Sequence, residues 1–164
     1  MTGVQTCALP ISYPLPESQL DRFLMCITLG YPDRASERTL LAGEDRRATI
    51  ERLTPVMTPT ELQAAQQAVL EVHSGPALLD YLQALIAATR SGQWFTDGLS
   101  PRAGIAVLRA AKAHALMDRR DYVAPDDIQA ILVATAAHRL RPVAGAGLGA
   151  AEQVMAMVKA VPLQ

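Results

Sequence analysis

The sequence lacks the features that mark membrane proteins, nucleic-acid-binding proteins and disulfide-rich proteins. It contains no run of roughly 18 to 20 apolar residues, so no segment is predicted to cross a bilayer. Its formal net charge of -1 does not favour a nucleic-acid partner, because duplex binders normally carry a basic patch. The two cysteines, Cys7 and Cys26, match neither a metal-ligand spacing nor a disulfide framework. A reducing, cytoplasmic location is therefore expected.

Aromatic residues are also scarce, at 4% of the chain, and β-branched residues are few, whereas alanine and leucine dominate. This composition favours helices over sheets. The chain has 164 residues, 50% of them hydrophobic, which is enough for one domain with a substantial core. The sequence therefore predicts a mainly α fold.

The first eleven residues, MTGVQTCALPI, carry neither the basic start nor the long apolar stretch of a signal peptide. The string resembles the translation of a common sequencing-library adapter. A genuine short N-terminal segment is the alternative interpretation. We treat residues 1–11 as a non-native, adapter-like segment and leave them out of the fold prediction.

Helix start and stop signals divide most of the remaining chain. Thr58, Pro59 and Glu61 form a capping box with proline at the first helical position. Ser100 followed by Pro101 repeats the cap-then-proline pattern. Besides a short helix in PLPESQLDRF, helices are predicted over 33–42, 59–72, 78–90, 101–116, 125–139 and 151–161.

Apolar side chains at helical spacing predict which faces are buried. The three predicted inward faces comprise Leu62, Ala65, Val69 and Val72; Leu78, Leu79, Leu82, Leu85 and Ile86; and Ile105, Leu108, Ala111, Ala115 and Leu116.

One apolar run, LMCITLGYP, predicts a single buried strand closed by Gly30 and Pro32. A lone strand cannot complete a sheet by itself. We therefore expect an orphan strand whose sheet neighbours come from elsewhere, and apolar surface left exposed around it.

Two arginines occupy unusual helical positions. At 100° per residue, Arg22 lies opposite the apolar side that contains Leu20 and Phe23. Arg102 lies in the first turn of its helix, where the positive end of the dipole makes a cation mildly unfavourable. A guanidinium beside free N–H groups can bind an anion. A solvated surface charge is the alternative for either residue.

No other catalytic constellation is evident. His73, His114 and His138 lie on separate elements without a metal-ligand spacing. Glu17 and Asp21 share a helix face, and such a pair is more often solvated than catalytic. The charged string DRRDY is interpreted as a solvated turn too long for a helix-turn-helix. The chain contains no G-x-x-x-x-G-K-S/T phosphate loop and no acidic strand end for magnesium.

Two segments carry a family resemblance. YPLPESQLDRFLMCITLGYPD, followed by GLSPRAGIAVLRAAKAHALMDRRDYVAPDDIQ, resembles the MoxR family of AAA+ ATPases. The resemblance implies that residues 12–30 are the C-terminal remnant of an AAA+ core and that 31–164 form the all-helical lid. It further implies that Arg22 is an arginine finger acting on another subunit and that Arg102 is the sensor-two arginine. Cys26 departs from the family, whose members often carry a basic residue there.

The resemblance also implies a function. The intact parent would be an ATP-driven, chaperone-like machine for complex assembly or cofactor insertion, using ATP and Mg²⁺. It would form a homo-oligomeric ring of six subunits and could act beside von Willebrand A domain proteins. Because the phosphate loop and the magnesium-binding acid would lie upstream, this fragment by itself is not expected to hydrolyse ATP.

Two alternatives remain open at the sequence level. The first is a fragment of a related ring ATPase, such as a metal-chelatase motor subunit, which shares the core and lid plan. The second is a non-enzymatic helical interaction module, which predicts a self-contained core and no orphan strand.

Overall fold

The computed structural model describes residues 15–43, 50–145 and 147–163, and in these ranges its regular secondary structure is almost entirely helical. The predicted mainly α fold is confirmed. The helices are α1 Glu17–Leu20, α2 Arg34–Leu41, α3 Pro59–Glu71, α4 Pro76–Arg90, α5 Pro101–Met117, α6 Pro125–Ala136 and α7 Ala150–Ala160, with a 3₁₀ turn Ala137–Arg139 after α6.

Local capping signals account for the helix starts. The capping box predicted for α3 is confirmed, since Glu61 N–H donates to Thr58 Oγ1 at 3.2 Å and Thr58 N–H donates to Glu61 Oε2 at 2.7 Å. Ser100 Oγ accepts from Ala103 N–H at 3.0 Å at the start of α5. Proline stands in the first turn of α3, α4, α5 and α6, where its missing N–H costs nothing.

The core lies between α4, α5, α6 and α7. Its largest fully buried apolar side chains include Leu85 of α4, Val107 of α5, Ile128 and Leu132 of α6, and Met157 of α7. Burial of such side chains supplies most of the stability of a helical domain. Among the described residues, no helix combines the length and apolarity that a membrane crossing requires.

The buried face of α5 is made mainly of small residues. Ala111 and Ala115 are buried as predicted, but Ile105 is 56% exposed, which corrects the predicted face. Gly104 is buried instead, and a Cβ there would lie 2.8 Å from Ile86 Cδ1. Small side chains allow the neighbouring helices to approach α5 closely. The buried face of α5 therefore follows its glycine and alanine residues rather than Ile105.

The inward faces predicted for α4 and α3 are also only partly correct. Leu82 and Leu85 are buried, whereas Leu79 is 42% exposed. On α3 no residue is buried, and Leu62 is 51% exposed, although Val72 just beyond the helix is in the core.

The predicted buried strand over LMCITLGYP is wrong for the residues described. This segment is irregular and exposed, with Leu29 87% and Tyr31 100% exposed. Its backbone has one anchor near the start, where Cys26 N–H donates to the carbonyl of Ala134 at 2.8 Å. A strand requires a neighbouring strand to accept its hydrogen bonds, and none lies beside it in the described ranges.

Helix α5 ends in a left-handed residue that is not glycine. Arg119 has φ +59°, its N–H donates to Leu116, and Arg120 N–H donates to Ala115. These two bonds form a Schellman motif, whose left-handed position is usually glycine. The arginine Cβ therefore carries a conformational cost at this site.

Amide exchange should follow this description of the segment after α1. We expect the amides of Ile27 to Tyr31 to exchange near the rate of an unstructured peptide, and the amide of Cys26 to be protected. Hydrogen exchange with site-resolved fragmentation measures both. Equal protection across the whole segment would show that it forms a stable strand.

Replacing Arg119 by glycine should stabilise the domain modestly. Arg119→Gly removes the Cβ conflict at φ +59°, and we expect the free energy of unfolding to rise by up to about 1 kcal/mol. Urea unfolding measures the change. A loss of stability in Arg119→Gly would contradict the assignment of left-handed strain.

Candidate functional site

The start of α5 is held in place by the end of α4. Arg90 Nε and Nη2 donate to the carbonyl of Leu99 at 2.9 and 2.6 Å, and Leu99 N–H donates to Thr89 Oγ1 at 3.1 Å. A Cβ on Gly98 would lie 2.2 Å from Arg90 Cγ and 2.9 Å from Arg90 Cα, so a side chain does not fit there. The turn that leads into α5 is therefore fixed by packing.

Arg102 presents a guanidinium at this fixed helix start. It is exposed at the second helical position, directly after Pro101. Ser100 already caps Ala103 N–H with its side chain and accepts from Gly104 N–H with its carbonyl at 3.1 Å. The Arg102 N–H and guanidinium have no hydrogen-bond or ion-pair partner in the described part of the chain. An anion can approach these donors and the positive helix end.

Arg22 is exposed as predicted, but it lies in the turn that follows α1 rather than within the helix. Its backbone N–H donates to the carbonyl of Gln19 at 3.0 Å. Within the described ranges its guanidinium forms no ion pair and no hydrogen bond. The apolar side of α1 is less buried than expected, since Phe23 is 54% exposed.

The structure connects the segments that carry the two arginines. Ser100 Oγ lies 3.0 Å from each carboxylate oxygen of Asp21 and donates to that carboxylate. Asp21 precedes Arg22 directly, and Ser100 lies two residues before Arg102. The sequence interpretation of Asp21 as a solvated member of a pair with Glu17 is therefore wrong for Asp21, whose side chain is 28% exposed and bonded.

A buried arginine supports this connection. The Arg139 side chain is 5% exposed, and its Nε lies 3.5 Å from Asp21 Oδ1. Its Nη2 donates to the carbonyls of Asp21, at 3.3 Å, and Phe23, and its Nη1 donates to the carbonyl of Thr135 at 2.9 Å. Burial lowers the pKa of Arg139, the negative charge of Asp21 opposes that shift, and the positive charge of Arg102 adds to it. The positive charges of Arg139 and Arg102 therefore oppose each other.

His138 lies beside the same turn. Burial lowers its pKa, with a further contribution from the positive charge of Arg139. Its Nε2 lies 3.4 Å from the carbonyl of Phe23. The histidine therefore adds a contact to the turn in surroundings that disfavour its charged form.

A second charged cluster has a structural role. His114, Asp118 and Asp127 place possible metal ligands within 4.8 Å of one another. However, Asp127 is already bonded by Arg120, whose Nη1 and Nη2 donate to its two oxygens at 2.7 and 2.5 Å, and by Ala124 N–H at 2.7 Å. A cation would have to displace the guanidinium. The cluster ties the turn DRRDY to the start of α6, so this turn is not merely solvated.

The sequence of this chain is similar to those of known proteins. Residues 87–158 match the family model described as an AAA lid domain. The chain is 33% identical to Chaperone MoxR1 of Mycobacterium tuberculosis over 78% of the chain and 36% of that protein. It is 39% identical to Uncharacterized protein YeaC of Bacillus subtilis over 79% of the chain and 40% of that protein.

A solved structure has the same fold. The chain superposes on a candidate ATPase from Cytophaga hutchinsonii with a TM-score of 0.76 and 27% identity, over 93% of the chain and 50% of that protein. The chain spans about two fifths of the length of the curated relatives that it matches.

Residues 87–158, which run from the last turn of α4 into α7, thus form an AAA lid domain. Together with its relatives, this lid shows that the chain belongs to the MoxR family of AAA+ ATPases.

Removing the charge of Asp127 should destabilise the fold. The guanidinium of Arg120 holds the pKa of Asp127 well below its usual range, against the opposing effect of burial. We expect Asp127→Asn to lower the free energy of unfolding at pH 7 by about 2 to 4 kcal/mol, because Arg120 loses the buried one of its two charged partners, Asp127 and the exposed Asp118. The exposed neighbour Asp126 provides a matched control. Asp126→Asn should change the free energy of unfolding by less than about 0.5 kcal/mol.

The pH dependence supplies a second check. Because the folded-state pKa of Asp127 is depressed, its carboxylate makes its full contribution to the free energy of unfolding at pH values above the unfolded-state pKa near 3.8. That contribution declines as the pH falls below this pKa. Denaturant unfolding at pH 7 and pH 3 should show the difference between wild type and Asp127→Asn shrinking at the lower pH. A difference that is independent of pH would contradict the ion-pair account.

Proposed function

We propose that this chain is the C-terminal part of a MoxR-type ring ATPase in which two arginines contact nucleotide phosphates. Arg102 is the sensor-two arginine, and Arg22 is the arginine finger that reaches ATP bound by a neighbouring subunit. The observation that supports this most directly is the Asp21–Ser100 contact. It ties together two segments that each expose a guanidinium without a partner in the described ranges.

Arginine suits this role for chemical reasons. Phosphoryl transfer depends on positioning and on neutralising the charge that spreads over the γ-phosphate oxygens. The guanidinium is permanently charged and bonds phosphate with two parallel N–H groups, which lysine cannot do. Both side chains keep their donors available and lie on the surface, so their charge is free to act on a ligand.

The remaining parts of the catalytic site belong to the rest of the protein. The sequence contains no phosphate loop, and among the described residues the acidic cluster at Asp127 is occupied by Arg120 rather than open to magnesium. ATP supplies the phosphoryl group, and Mg²⁺ neutralises its phosphates when both are bound in the complete protein. Arg22 and Arg102 would contribute positive charge to the phosphate, while the lid helices hold them in place.

The proposed assembly is a head-to-tail ring of six subunits in the cytoplasm. Such a heterologous interface places a finger from each subunit at the site of the next one. We further propose that the ring is a chaperone-like machine for complex assembly or cofactor insertion, with von Willebrand A domain proteins as possible partners. The chaperone name of the mycobacterial relative supports this assignment.

The two alternatives that the sequence leaves open are less well supported. The relatives named above are MoxR and YeaC proteins rather than chelatase motor subunits. An independent interaction module is expected to bury its apolar residues, whereas Ile27, Leu29 and Tyr31 of this chain are at least 71% exposed.

Turnover in the complete protein tests the two arginines. We expect Arg22→Ala and Arg102→Ala each to lower ATP hydrolysis at least about 100-fold, since an arginine finger contributes roughly 10³ to 10⁵ to turnover. Arg109 is exposed on α5 two turns after Arg102 and is the matched control. Arg109→Ala should keep turnover within about twofold. Near-native hydrolysis in all three variants would refute the site assignment.

Mixed rings test whether the finger acts on a neighbour. Subunits with Arg22→Ala and subunits whose phosphate loop is disabled should each be inactive alone. Mixing them should restore hydrolysis, because the second kind can donate its finger to the intact site of the first. Failure to recover any activity in rings shown to be mixed would contradict action between subunits.

A further inference from the structure

We propose that Arg139 is a positioning residue that holds the turn carrying Arg22 and couples it to the start of α5. This inference rests on the proposed function, because it concerns how the finger is presented. It assigns a role to a buried charge that would not itself contact the nucleotide. The supporting observation is that Arg139 bonds the chain on both sides of Arg22.

The contacts of Arg139 are directed at the finger turn. Its Nη2 donates to the carbonyl of Asp21 at 3.3 Å and to the carbonyl of Phe23, the residues that flank Arg22. Holding a carbonyl on each side of Arg22 limits the directions in which its side chain can extend. Its remaining N–H contact, to the carbonyl of Thr135 at 2.9 Å, anchors the guanidinium to the end of α6.

The burial of this cation also favours a specific role. Removing a guanidinium from water is costly, and a buried ion pair is often replaceable by apolar residues without loss of stability. Arg139 is 5% exposed, and its one acidic neighbour among the described residues is Asp21, which belongs to the finger turn. An apolar residue at position 139 could preserve stability. It could not donate hydrogen bonds to the carbonyls of the turn that carries Arg22.

Asp21 extends the coupling to the start of α5. Its carboxylate accepts from Ser100 while lying 3.5 Å from Arg139 Nε. The same carboxylate therefore contacts the cap of α5 and the residue that holds the finger.

Kinetics of the complete ATPase test this role. We expect Arg139→Gln to lower kcat at least tenfold and to leave KM for ATP within about twofold, since Arg139 would not touch the nucleotide. Combined with Arg22→Ala, it should cause no further loss, because a misplaced finger and a missing finger have the same consequence. Arg139→Lys keeps the charge with fewer donors and should give an intermediate kcat.

Two further variants separate positioning from general destabilisation. Thr135→Val removes a buried hydroxyl from the end of α6 without removing the contacts of Arg139, so any loss of kcat should be less than twofold. Asp21→Asn keeps an acceptor for Ser100 but removes the charge facing Arg139, and it should lower kcat with KM unchanged. If kcat falls in proportion to stability in all of these variants, the positioning role is refuted.

Hydrogen exchange on this chain tests the contact without ATP hydrolysis. The amides of Arg22 and Phe23 donate to Gln19 and Leu20, and Arg139→Gln should speed their exchange while leaving Leu132 in the core unchanged. Unchanged exchange would overturn the inference. In the kinetic assay, an inactive Arg22→Ala with a fully active Arg139→Gln would overturn only the inference. A fully active Arg22→Ala would instead overturn the proposed function.

Discussion

The contact between the Asp21 carboxylate and the Ser100 hydroxyl is the constraint on which the candidate site depends. It joins a turn near the start of the chain to the start of α5, across 79 residues of sequence. Without it, Arg22 and Arg102 would be two unrelated surface charges. With it, the two segments that carry these guanidiniums are joined, and Arg139 bonds the carbonyls of the residues on either side of Arg22. This contact supports the proposal that Arg22 and Arg102 both act on nucleotide phosphates.

The two charged networks of this domain differ in a way that indicates their roles. In the first, Arg120 uses both terminal nitrogens on Asp127, and the turn after α5 is locked to α6. In the second, Asp21 is bonded, but the neighbouring guanidiniums of Arg22 and Arg102 keep their donors unused within the described ranges. A satisfied arginine stabilises a fold, whereas an exposed and unpaired one beside a fixed helix start is available to a ligand.

Much of the fold could be predicted because helices depend on nearby residues. Thr58 with Glu61, and Ser100 before Pro101, mark helix starts through contacts within four residues. The strand at LMCITLGYP was mispredicted because strand formation depends on a distant partner. The roles of Asp21 and Arg139 were missed for the same reason, since the bond from Arg139 to Phe23 spans 116 residues. The exposure of Arg22 and Arg102 was predictable, but the contact that brings their segments together was not.

The most direct test is an experimental structure of the complete ring with a non-hydrolysable ATP analogue and Mg²⁺. The account predicts that the guanidiniums of Arg22 and Arg102 each lie within hydrogen-bond distance, about 2.7 to 3.2 Å, of a phosphate oxygen. It also predicts that the Arg22 contact crosses a subunit boundary while Asp21 remains bonded to Ser100. A structure with ATP bound and both guanidiniums directed into solvent or against protein carboxylates would contradict it.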